Sequence, residues 1–502
     1  IEQTRPVGMS DEEWERAKIA ARDQRFIHGL VALADPSRPV VSFGEDLPLA
    51  ERTLEGESFD EYDGVVVEAG AHIRTGTLGQ VLLMGHNVIN RGTIETPDGQ
   101  ALLAAGRGVS LNKNYLDGTS AAIDPDLRGY TVGVDRGGRA ENDGGLIIAE
   151  RGNITLTGHS ILQSGVLSAT TGAEANGSIL LKAVTGRSDN NFYYVPRVNA
   201  QRGEIVFAPD SITQILPDDS GTPVIGAGSF RPSKIDVEGK KIIFQNHSRL
   251  RAPGAEVRLL ADAHAAEDGW VDSRIYLGEG AVIDVSGLRG VAVDMEQNVI
   301  EAELRANELR DNPLLKEGAL RGETVYFDLR YGEALLTGKG IANLSGYYDL
   351  IERDVAEFMT AGGTLTMSGS EIIARAGSLI DLSGGSVEYQ GGYITSTVLI
   401  DAAGRRVPIE FAPAGIDYVA LDNSHVVGHP RWQVTERYRS ALLSGHRVRW
   451  EDGYTEGRSG GSLILQTSSA AGVNAIGNRS KDAHRLFEGD VRADVVAGRY
   501  QT

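Results

Sequence analysis

The stretch GGTLTMSGSEIIARAGSLIDLSGG, residues 362–385, decides the fold of this chain. It holds three short, largely aliphatic runs, Thr364–Met367, Ile372–Ala374 and Leu379–Leu382, which are separated mainly by glycine and serine. Strands this short cannot bury an apolar face alone, but coils stacked on one another form continuous parallel sheets around an aliphatic interior. The stretch therefore predicts one coil of a parallel β-helix with three strands per coil.

The same pattern recurs at a spacing of roughly 20 residues, in residues 79–103, 145–168 and 254–287. Glycine and asparagine stand between the runs, at corners that require a positive φ. With neighbouring strands about 4.8 Å apart, roughly fifteen coils would form a rod on the order of 70 Å long. The sequence lacks the Trp-Asp signature of β-propellers at their period and the glycine-rich nonapeptides that bind calcium, while a pair of jelly rolls stays open as the alternative.

Composition agrees with an elongated repeat structure and excludes several functional classes. The chain has 502 residues with 63 glycines, 6% aromatic residues, no cysteine and a formal net charge of −20. The lack of cysteine excludes a thiol nucleophile, a cysteine-based zinc site and an iron–sulfur cluster. The acidic balance argues against nucleic acid as a partner. No stretch reaches the roughly 20 apolar residues that span a bilayer.

The pattern divides the chain into predicted segments. Residues 10–33 carry a capping box and a helical apolar stripe, which predicts an amphipathic helix that caps the open end of the β-helix. Residues 295–311 fit both helix and strand periodicity, so both stay open there. Because Ile1-Glu2-Gln3 does not start a signal peptide, we expect a processed product or a piece of a longer protein. The predicted segments are 1–40, helix, linker and cap; 41–287, β-helix with insertion loops at about 113–144 and 185–235; 288–335, a non-repeat insertion; 336–480, the β-helix continued with a loosened region at about 401–455; and 481–502, an irregular tail at a fragment end.

Two motifs with catalytic or metal-binding patterns lack the local structure that such sites need. Gly457–Gly461 matches the Gly-x-Ser-x-Gly pattern of a nucleophile elbow, but an aliphatic strand follows it where a helix is required. His425 and His429 have the spacing of zinc ligands on a helix, but Gly428 and Pro430 oppose a helix there. We therefore expect neither a serine nucleophile nor a metal site at these positions.

Carboxylates are the residues that an enzyme on this fold would use. Enzymes built on β-helices usually act on polysaccharides, with two or three carboxylates in a groove along the rod. The candidates here lie in predicted turns, where aspartate is favoured by local hydrogen bonding, so we interpret them as turn residues, with calcium binding or catalysis as the alternative. They are Asp124, Asp126, Asp218, Asp219, Glu267, Asp268 and Asp272.

Aromatic residues are sparse and cluster in two predicted loop regions. Sugar rings stack on exposed aromatic faces, so these clusters are the predicted glycan-binding or partner-binding surface. The alternative is that they form small cores on the flank of the rod. The first cluster is Phe192, Tyr193 and Tyr194, and the second is Trp432, Tyr438 and Trp450.

Three parts of the sequence carry a family resemblance: Asn307–Leu314 with Gly318–Gly322, Thr360–Gly385, and Arg431–Glu436 with Gly453–Gly457. Across about residues 290–470 the chain resembles the filamentous-haemagglutinin-like exoproteins of Gram-negative bacteria. The resemblance implies a right-handed β-helix, secretion through an outer-membrane partner of the two-partner type, and adhesive or matrix work at the cell surface. The Asn-Pro-Asn motifs of that family's secretion domain are absent, so the resemblance does not extend to that domain.

The expected function is that of a structural and adhesive rod segment without catalysis, extracellular and at the surface of a Gram-negative cell. The expected partners are a host or bacterial surface glycan or protein or a matrix polysaccharide, together with the outer-membrane secretion partner of a longer parent protein. No cofactor is expected, and calcium is a weak alternative. Two other functions stay open, a β-helical polysaccharide lyase or glycoside hydrolase and the stalk of a contact-dependent toxin delivery fibre.

Overall fold

The computed structural model is an all-β parallel β-helix, which confirms the fold class predicted from the sequence. Strands dominate the described chain, and its α-helices are single turns. The predicted N-terminal helix and cap lie outside the described residues. The structure describes residues 40–42, 64–106, 108–113, 126–134, 138–185, 201–218, 223–225, 230–261, 273–348, 350–429, 431–432, 434–439, 445–466 and 484–499.

Three parallel sheets form the shaft of the β-helix. The first sheet has nine strands: Gly64–Val67, Asn87–Asn90, Arg139–Asn142, Ser160–Gln163, Glu204–Phe207, Lys241–Phe244, Arg274–Leu277, Glu371–Ala374 and His484–Phe487. The second also has nine: His72–Arg74, Thr93–Glu95, Leu146–Ala149, Val166–Thr171, Ile212–Pro217, Arg249–Arg251, Val282–Asp284, Leu379–Asp381 and Asp490–Arg492. The third has eight: Gln80–Gly85, Gln100–Ala105, Asn153–Thr157, Ser178–Lys182, Lys234–Gly239, Glu256–Ala261, Thr364–Ser368 and Ser462–Gln466.

The chain visits the three sheets in a fixed order, so each circuit is one coil. A strand of the first sheet is followed by one of the second and one of the third, and the chain then returns to the first sheet one level along. The described residues form nine such levels, fewer than the fifteen expected from the sequence. At about 4.8 Å per level the shaft is on the order of 40 Å long. The difference arises because long excursions use much of the chain.

Alternation along each strand decides which residues form the shaft interior. In the first sheet the second residue of the strand points inward, and isoleucine occupies this position in five successive coils. All five are at most 1% exposed. Because the strands pair in register, these side chains stack into one continuous aliphatic row that stabilises strands too short to fold alone. The row is Ile161, Ile205, Ile242, Ile275 and Ile372.

The inward-facing row at the end of the first-sheet strands changes from amides to aromatic rings along the shaft. Asn142 Nδ2 donates to Gln163 Oε1 at 2.8 Å, and Asn90 Nδ2 donates to Asn142 Oδ1 at 2.8 Å. In the next two coils the same position holds Phe207 and Phe244, whose ring centroids are 4.2 Å apart. The buried amides therefore satisfy one another across coils, which removes the penalty of an unpaired polar group in an apolar interior.

The corner between the first and second sheets, here called the first corner, is short in every described coil. It contains two to four residues each time. In each four-residue corner the third residue has a φ between 59° and 83°. Glycine adopts this left-handed conformation freely and aspartate tolerates it, whereas the histidine is an exception to the preference. These third residues are Gly70, Asp210, His247, Gly280 and Gly377.

The long excursions of the described chain leave the shaft at the other two corners. Between the third and first sheets, one excursion supplies two strands of a three-stranded antiparallel sheet made of Val40–Ser42, Gly108–Lys113 and Tyr130–Val134. This sheet packs on the outer face of the third sheet, where Val109 and Leu111 belong to one apolar cluster with Leu102. Another excursion at the same corner contains the antiparallel pair formed by Val184–Thr185 and Gln201–Arg202.

Two excursions between the second and third sheets form the insertion body, residues 286–361 and 384–460. Both contribute to one apolar core, in which Phe327, Leu335 and Tyr418 are fully buried. Among the described residues its strands form five small sheets. The first contains Val291–Asp294, Ser386–Gln390 and Tyr454–Gly457, the second Val299–Glu303 and Thr324–Asp328, and the third Gly392–Asp401, Arg406–Pro408, Tyr418–Leu421 and His446–Glu451. The fourth contains Ser424–His429 and Val434–Arg439, and in the fifth Glu352–Arg353 pairs with Val224–Ile225. Its α-helical turns are Pro313–Lys316, Glu333–Leu336, Ser345–Tyr348 and Val355–Phe358, and its 3-10 turns are Met295–Asn298 and Ile409–Phe411.

The segment boundaries observed in the structure differ from those predicted. The shaft resumes at Thr364 rather than near residue 336, and the region predicted as loosened, 401–455, holds antiparallel strands. The strands His484–Phe487 and Asp490–Arg492 continue the shaft where an irregular tail was predicted. Of the two alternatives left open for residues 295–311, the structure follows the strand over Val299–Glu303, after a 3-10 turn at Met295–Asn298, and no α-helix forms there. Local pattern does not reveal these boundaries because a strand that joins the stack has the same alternation as one in the insertion body.

Two smaller differences concern the predicted loops and membrane contact. The predicted loop at 185–235 includes the shaft strands Glu204–Phe207 and Ile212–Pro217, and the one at 113–144 includes Arg139–Asn142. Among the described residues, no helix is both long and apolar enough to traverse a bilayer.

Candidate functional site

Two exposed aromatic side chains of the insertion body form the centre of the candidate functional surface. Tyr393 and Trp450 lie directly opposite each other on the paired strands Gly392–Asp401 and His446–Glu451. Their ring centroids are 5.1 Å apart with an interplanar angle of 77°, an edge-to-face arrangement. The side chains are 66% and 54% exposed. The pair is therefore a preassembled aromatic surface that faces solvent.

A buried layer beneath this pair holds its two strands in place. Ile394, the residue after Tyr393, is fully buried and belongs to one apolar cluster with Met295 and Tyr454. The Tyr454 ring stacks on Tyr389 with centroids 4.6 Å apart, and its hydroxyl donates to Asn298 Oδ1 at 3.1 Å. Burial raises the pKa of both tyrosines above the ordinary value, so both stay neutral at physiological pH. The outward pair consequently rests on a buried layer of apolar and aromatic side chains.

Hydrogen-bonding groups border the exposed rings. Trp450 Nε1 donates to Asp452 Oδ1 at 3.0 Å, which orients the indole. The carboxylate has further acceptor capacity for hydroxyl groups of a ligand. Val448, on the same strand and the same face as Trp450, is 62% exposed and extends the apolar surface. A sugar ring can stack its apolar face on such rings while its hydroxyls bond to the neighbouring carboxylate.

A hairpin of the insertion body carries the other exposed aromatic residues. Its strands are Ser424–His429 and Val434–Arg439, with Trp432 in the turn between them. Trp432 is 68% exposed and Tyr438 is 56% exposed. The Tyr438 hydroxyl donates to Glu436 Oε2 at 2.6 Å. The hairpin therefore presents a second aromatic and acidic surface to solvent.

The structure places the sequence-predicted aromatic residues as follows. Trp432, Tyr438 and Trp450 are all exposed on the insertion body, and Trp450 has Tyr393 as its ring partner. Sequence reasoning missed Tyr393, because the run Tyr393–Val398 has no regular alternation of apolar and polar residues that would predict an outward tyrosine. The other predicted cluster, Phe192, Tyr193 and Tyr194, lies outside the described residues.

An open acidic groove of about 890 Å³ lies elsewhere on the insertion body. Residues 292–301 and 347–357 supply most of its lining. Among the described residues that line the groove, Arg353 is the one cation, and its guanidinium lies 4.9 Å from the centroid of the Tyr348 ring. The groove brings together carboxylates from two segments about fifty residues apart, which is why the sequence did not indicate it. The acidic lining residues are Asp294, Glu296, Glu301, Glu352, Asp354 and Glu357.

Glu357 is the most buried carboxylate of this groove. It is 8% exposed and accepts hydrogen bonds from the Asp354 backbone N–H at 2.9 Å and from Gln297 Nε2 at 3.1 Å. Burial raises the pKa of Glu357 above its ordinary value, and these hydrogen bonds oppose the shift. The bond from the Asp354 backbone N–H belongs to the capping box of the helical turn Val355–Phe358, whereas the bond from Gln297 links that turn to the 3-10 turn Met295–Asn298. The geometry therefore gives Glu357 a structural role. A carboxyl with a raised pKa also holds its proton at higher pH, which is what a general acid in catalysis requires.

We expect Glu357→Gln to be at least as stable as the original chain at neutral pH. The raised pKa means that the folded state binds the proton more tightly than the unfolded state, so the charged carboxylate lowers stability at high pH. This penalty is absent below the pKa that Glu357 has in the unfolded state, and it develops as pH rises through the pKa that Glu357 has in the folded state. Glutamine carries no charge and keeps the acceptor oxygen. Thermal midpoints measured against pH should show a gap between the two proteins that closes in acid. A clear loss of stability in the glutamine variant at neutral pH would mean that the negative charge itself is required.

The two catalytic-pattern motifs are parts of strands and their connections. Gly457 ends the strand Tyr454–Gly457, and the next element is the shaft strand Ser462–Gln466, so no helix follows the serine. His425 and His429 lie on one extended strand, where four residues span about 13 Å. Neither arrangement has the backbone that its motif requires.

The predicted carboxylate candidates that the structure describes are engaged in ion pairs. Asp126 Oδ2 accepts from Lys234 Nζ at 2.9 Å, and Asp126 Oδ1 accepts from Asn176 Nδ2 at 2.9 Å. Asp218 Oδ2 accepts from Arg151 Nη1 at 2.5 Å. Asp124, Asp219, Glu267, Asp268 and Asp272 lie outside the described residues. Within the described part of the chain, no three His, Asp or Glu side chains are grouped as metal ligands.

Comparison with known proteins identifies no relative of this chain. No protein-family model, no curated protein and no solved structure matches the chain.

Proposed function

We propose that this chain is a structural and adhesive rod segment of a secreted bacterial surface fibre, and that it attaches to glycan through the Tyr393–Trp450 pair. The observation that carries the proposal is the exposure of two aromatic rings that contact each other above a buried apolar layer. Exposed aromatic residues that contact one another, with an acidic acceptor beside them, have the chemistry of carbohydrate recognition. The shaft, whose interior is aliphatic and amide, serves as the spacer that carries the insertion body.

The location and the export route are part of this proposal. The resemblance to filamentous-haemagglutinin-like exoproteins supports an extracellular position on a Gram-negative cell and export of a longer parent protein through an outer-membrane partner. A chain without cysteine is compatible with passage through an outer membrane in an unfolded form. Surface or matrix polysaccharides, host glycans and surface proteins are the proposed partners.

Replacement of the aromatic pair tests the proposed contact. We expect Trp450→Ala and Tyr393→Ala each to weaken binding to glycan arrays and to matrix polysaccharide on the order of tenfold or more, because each removes a stacking face. Phe411→Ala is the matched control, since Phe411 is 62% exposed on the same body but stands apart from the pair. Thermal midpoints of all three variants should stay close to that of the original chain. If the control lost as much glycan binding as the pair variants, or if neither lost any, the Tyr393–Trp450 pair would not be the glycan contact.

The acidic groove is the observation that favours a second candidate, a polysaccharide lyase or glycoside hydrolase. Several carboxylates line one open groove, and the pKa of Glu357 is raised by burial. A panel of polysaccharides, assayed for new reducing ends and for unsaturated products, distinguishes the candidates. Turnover that is abolished by a single change such as Glu296→Gln would assign the function to the groove, whereas binding without turnover supports the adhesive proposal.

A further inference from the structure

The outer face of the first sheet carries an unbroken apolar row along six successive coils. The third residue of each strand points outward, and in these coils it is aliphatic or tyrosine. The strands pair in register, so the residues are neighbours along the shaft. We call this set the outer row. It consists of Leu162, Val206, Ile243, Tyr276, Ile373 and Leu486.

The outer row differs from an apolar patch on the outside of the third sheet. On the third sheet, Leu102 and Ala104 are covered by the antiparallel sheet that contains Val109 and Leu111. The outer row, by contrast, belongs to none of the apolar clusters that the described residues form. On one side it borders the first corner, which has only two to four residues in each described coil and so cannot cover it. A contiguous apolar surface of this kind marks an interaction site.

We propose that the last four residues of the outer row, Ile243, Tyr276, Ile373 and Leu486, form the interface between two copies of this chain, packed face to face and antiparallel about a two-fold axis between the seventh and eighth coils. The seventh coil contains Tyr276 and the eighth contains Ile373. In this arrangement Tyr276 faces the partner's Ile373, and Ile243 faces the partner's Leu486. Sheets pack in this manner about 10 Å apart, with the side chains of the facing surfaces in contact.

Charges on both sides of the outer row fix this register. On one side Arg274 and Glu371 lie on neighbouring strands and form an ion pair, with Nε donating to Oε2 at 2.6 Å. On the other side, exposed Glu279 and Arg375 lie in the first corners of the same two coils, and Arg375 also pairs with Glu488 of the ninth coil at 3.3 Å within its own chain. The two-fold rotation places Arg274 opposite the partner's Glu371 and Glu279 opposite the partner's Arg375, so each flank meets opposite charge.

A shift of the axis by one coil reverses this complementarity on the flank formed by the first residues of the strands. With the axis between the sixth and seventh coils, Lys241 faces the partner's Arg274, and Glu204 faces the partner's Glu371. Both pairings are repulsive. The charges of this face are therefore complementary to the charges of the same face on a second, antiparallel copy. Such self-complementarity favours a second copy over a partner of unrelated sequence.

Sedimentation velocity over a wide range of concentration tests the interface. We expect a reversible dimer, and we expect Ile243→Lys to weaken it on the order of a hundredfold because the substitution places an ammonium group against an apolar surface in each half. Thr366→Lys, at an outward position of the third sheet, is the matched control and should leave the dimer intact. Circular dichroism should show both variants folded. A protein that stays monomeric throughout, or a dimer unaffected by Ile243→Lys, would overturn the proposal.

Cross-linking tests the orientation, since the chain has no cysteine of its own. The variant with both Ile243→Cys and Leu486→Cys should form covalent dimers with a bis-maleimide shorter than about 14 Å, the three-coil separation of the two positions in one chain. Each single-cysteine variant should not. Efficient cross-linking of the Ile243→Cys single variant would indicate a parallel pair and contradict the antiparallel arrangement.

Discussion

Asp328→Ala is expected to lower the free energy of unfolding of the insertion body by about 3–5 kcal/mol. Asp328 is fully buried and accepts two hydrogen bonds from Arg330, from Nε at 2.9 Å and from Nη2 at 2.6 Å. Arg449 Nη2 donates to the same carboxylate at 2.8 Å. The Arg330 side chain is only 4% exposed. Without the aspartate, a buried guanidinium loses its principal counter-charge, and that desolvated charge is the source of the destabilisation.

The measurement separates the insertion body from the shaft. The chain has four tryptophans, so the measurement uses a background in which Trp14 and Trp270 are replaced by phenylalanine. The remaining two, Trp432 and Trp450, both belong to the insertion body, so their fluorescence during denaturant unfolding reports on that part, while circular dichroism also follows the shaft. We expect the fluorescence transition of Asp328→Ala to move to lower denaturant with little change in the shaft. Glu317→Ala is the control, because it removes an exposed ion pair with Arg321 at 2.9 Å and should change stability by about 0.5 kcal/mol or less. A loss no larger than in this control would show that the buried network is dispensable.

Phe244→Ala is expected to lower the free energy of unfolding of the shaft by about 3–5 kcal/mol. Phe244 is fully buried and stacks on Phe207 in the preceding coil, and it lies in register with Leu277 in the next. The substitution removes a large apolar side chain and leaves a cavity between coils that the rigid strands cannot close. It also removes the aromatic contact, which contributes about 0.5–1.5 kcal/mol within that total.

Hydrogen exchange shows where the loss occurs. In a stacked repeat each coil contacts mainly its neighbours, so backbone protection should fall most in the fifth to seventh coils. Phe411→Ala, which truncates an exposed phenylalanine, should leave both the denaturation midpoint and the exchange pattern unchanged. If Phe244→Ala lowered stability by less than about 1 kcal/mol, the shaft interior would be far less closely packed than the structure indicates.

The sequence indicated part of the candidate site but not its arrangement. Sparse aromatic residues in a glycine-rich chain pointed to Trp432, Tyr438 and Trp450, and the structure places all three on the surface of the insertion body. The partner of Trp450 could not be identified from spacing, because Tyr393 is 57 positions away and is brought opposite only by antiparallel pairing. The acidic groove was missed for the same reason.

The amino-acid sequence by itself determined the β-helix. Runs of alternating aliphatic residues, repeated at coil spacing with glycine or aspartate at the corners, favour burial by stacking over a compact globular core, and residues 362–385 carry that information locally. The pattern left a pair of jelly rolls open as the alternative, and the parallel pairing of the strands decides against it. The tertiary structure alone decided which strands join the stack and which leave it. Strands of the insertion body have the same local alternation as those of the shaft, and only non-local pairing and the separate core around Phe327 and Tyr418 distinguish them. The surfaces proposed for binding depend on which strands join the stack and which form the insertion body, because each surface combines residues that are distant in the sequence.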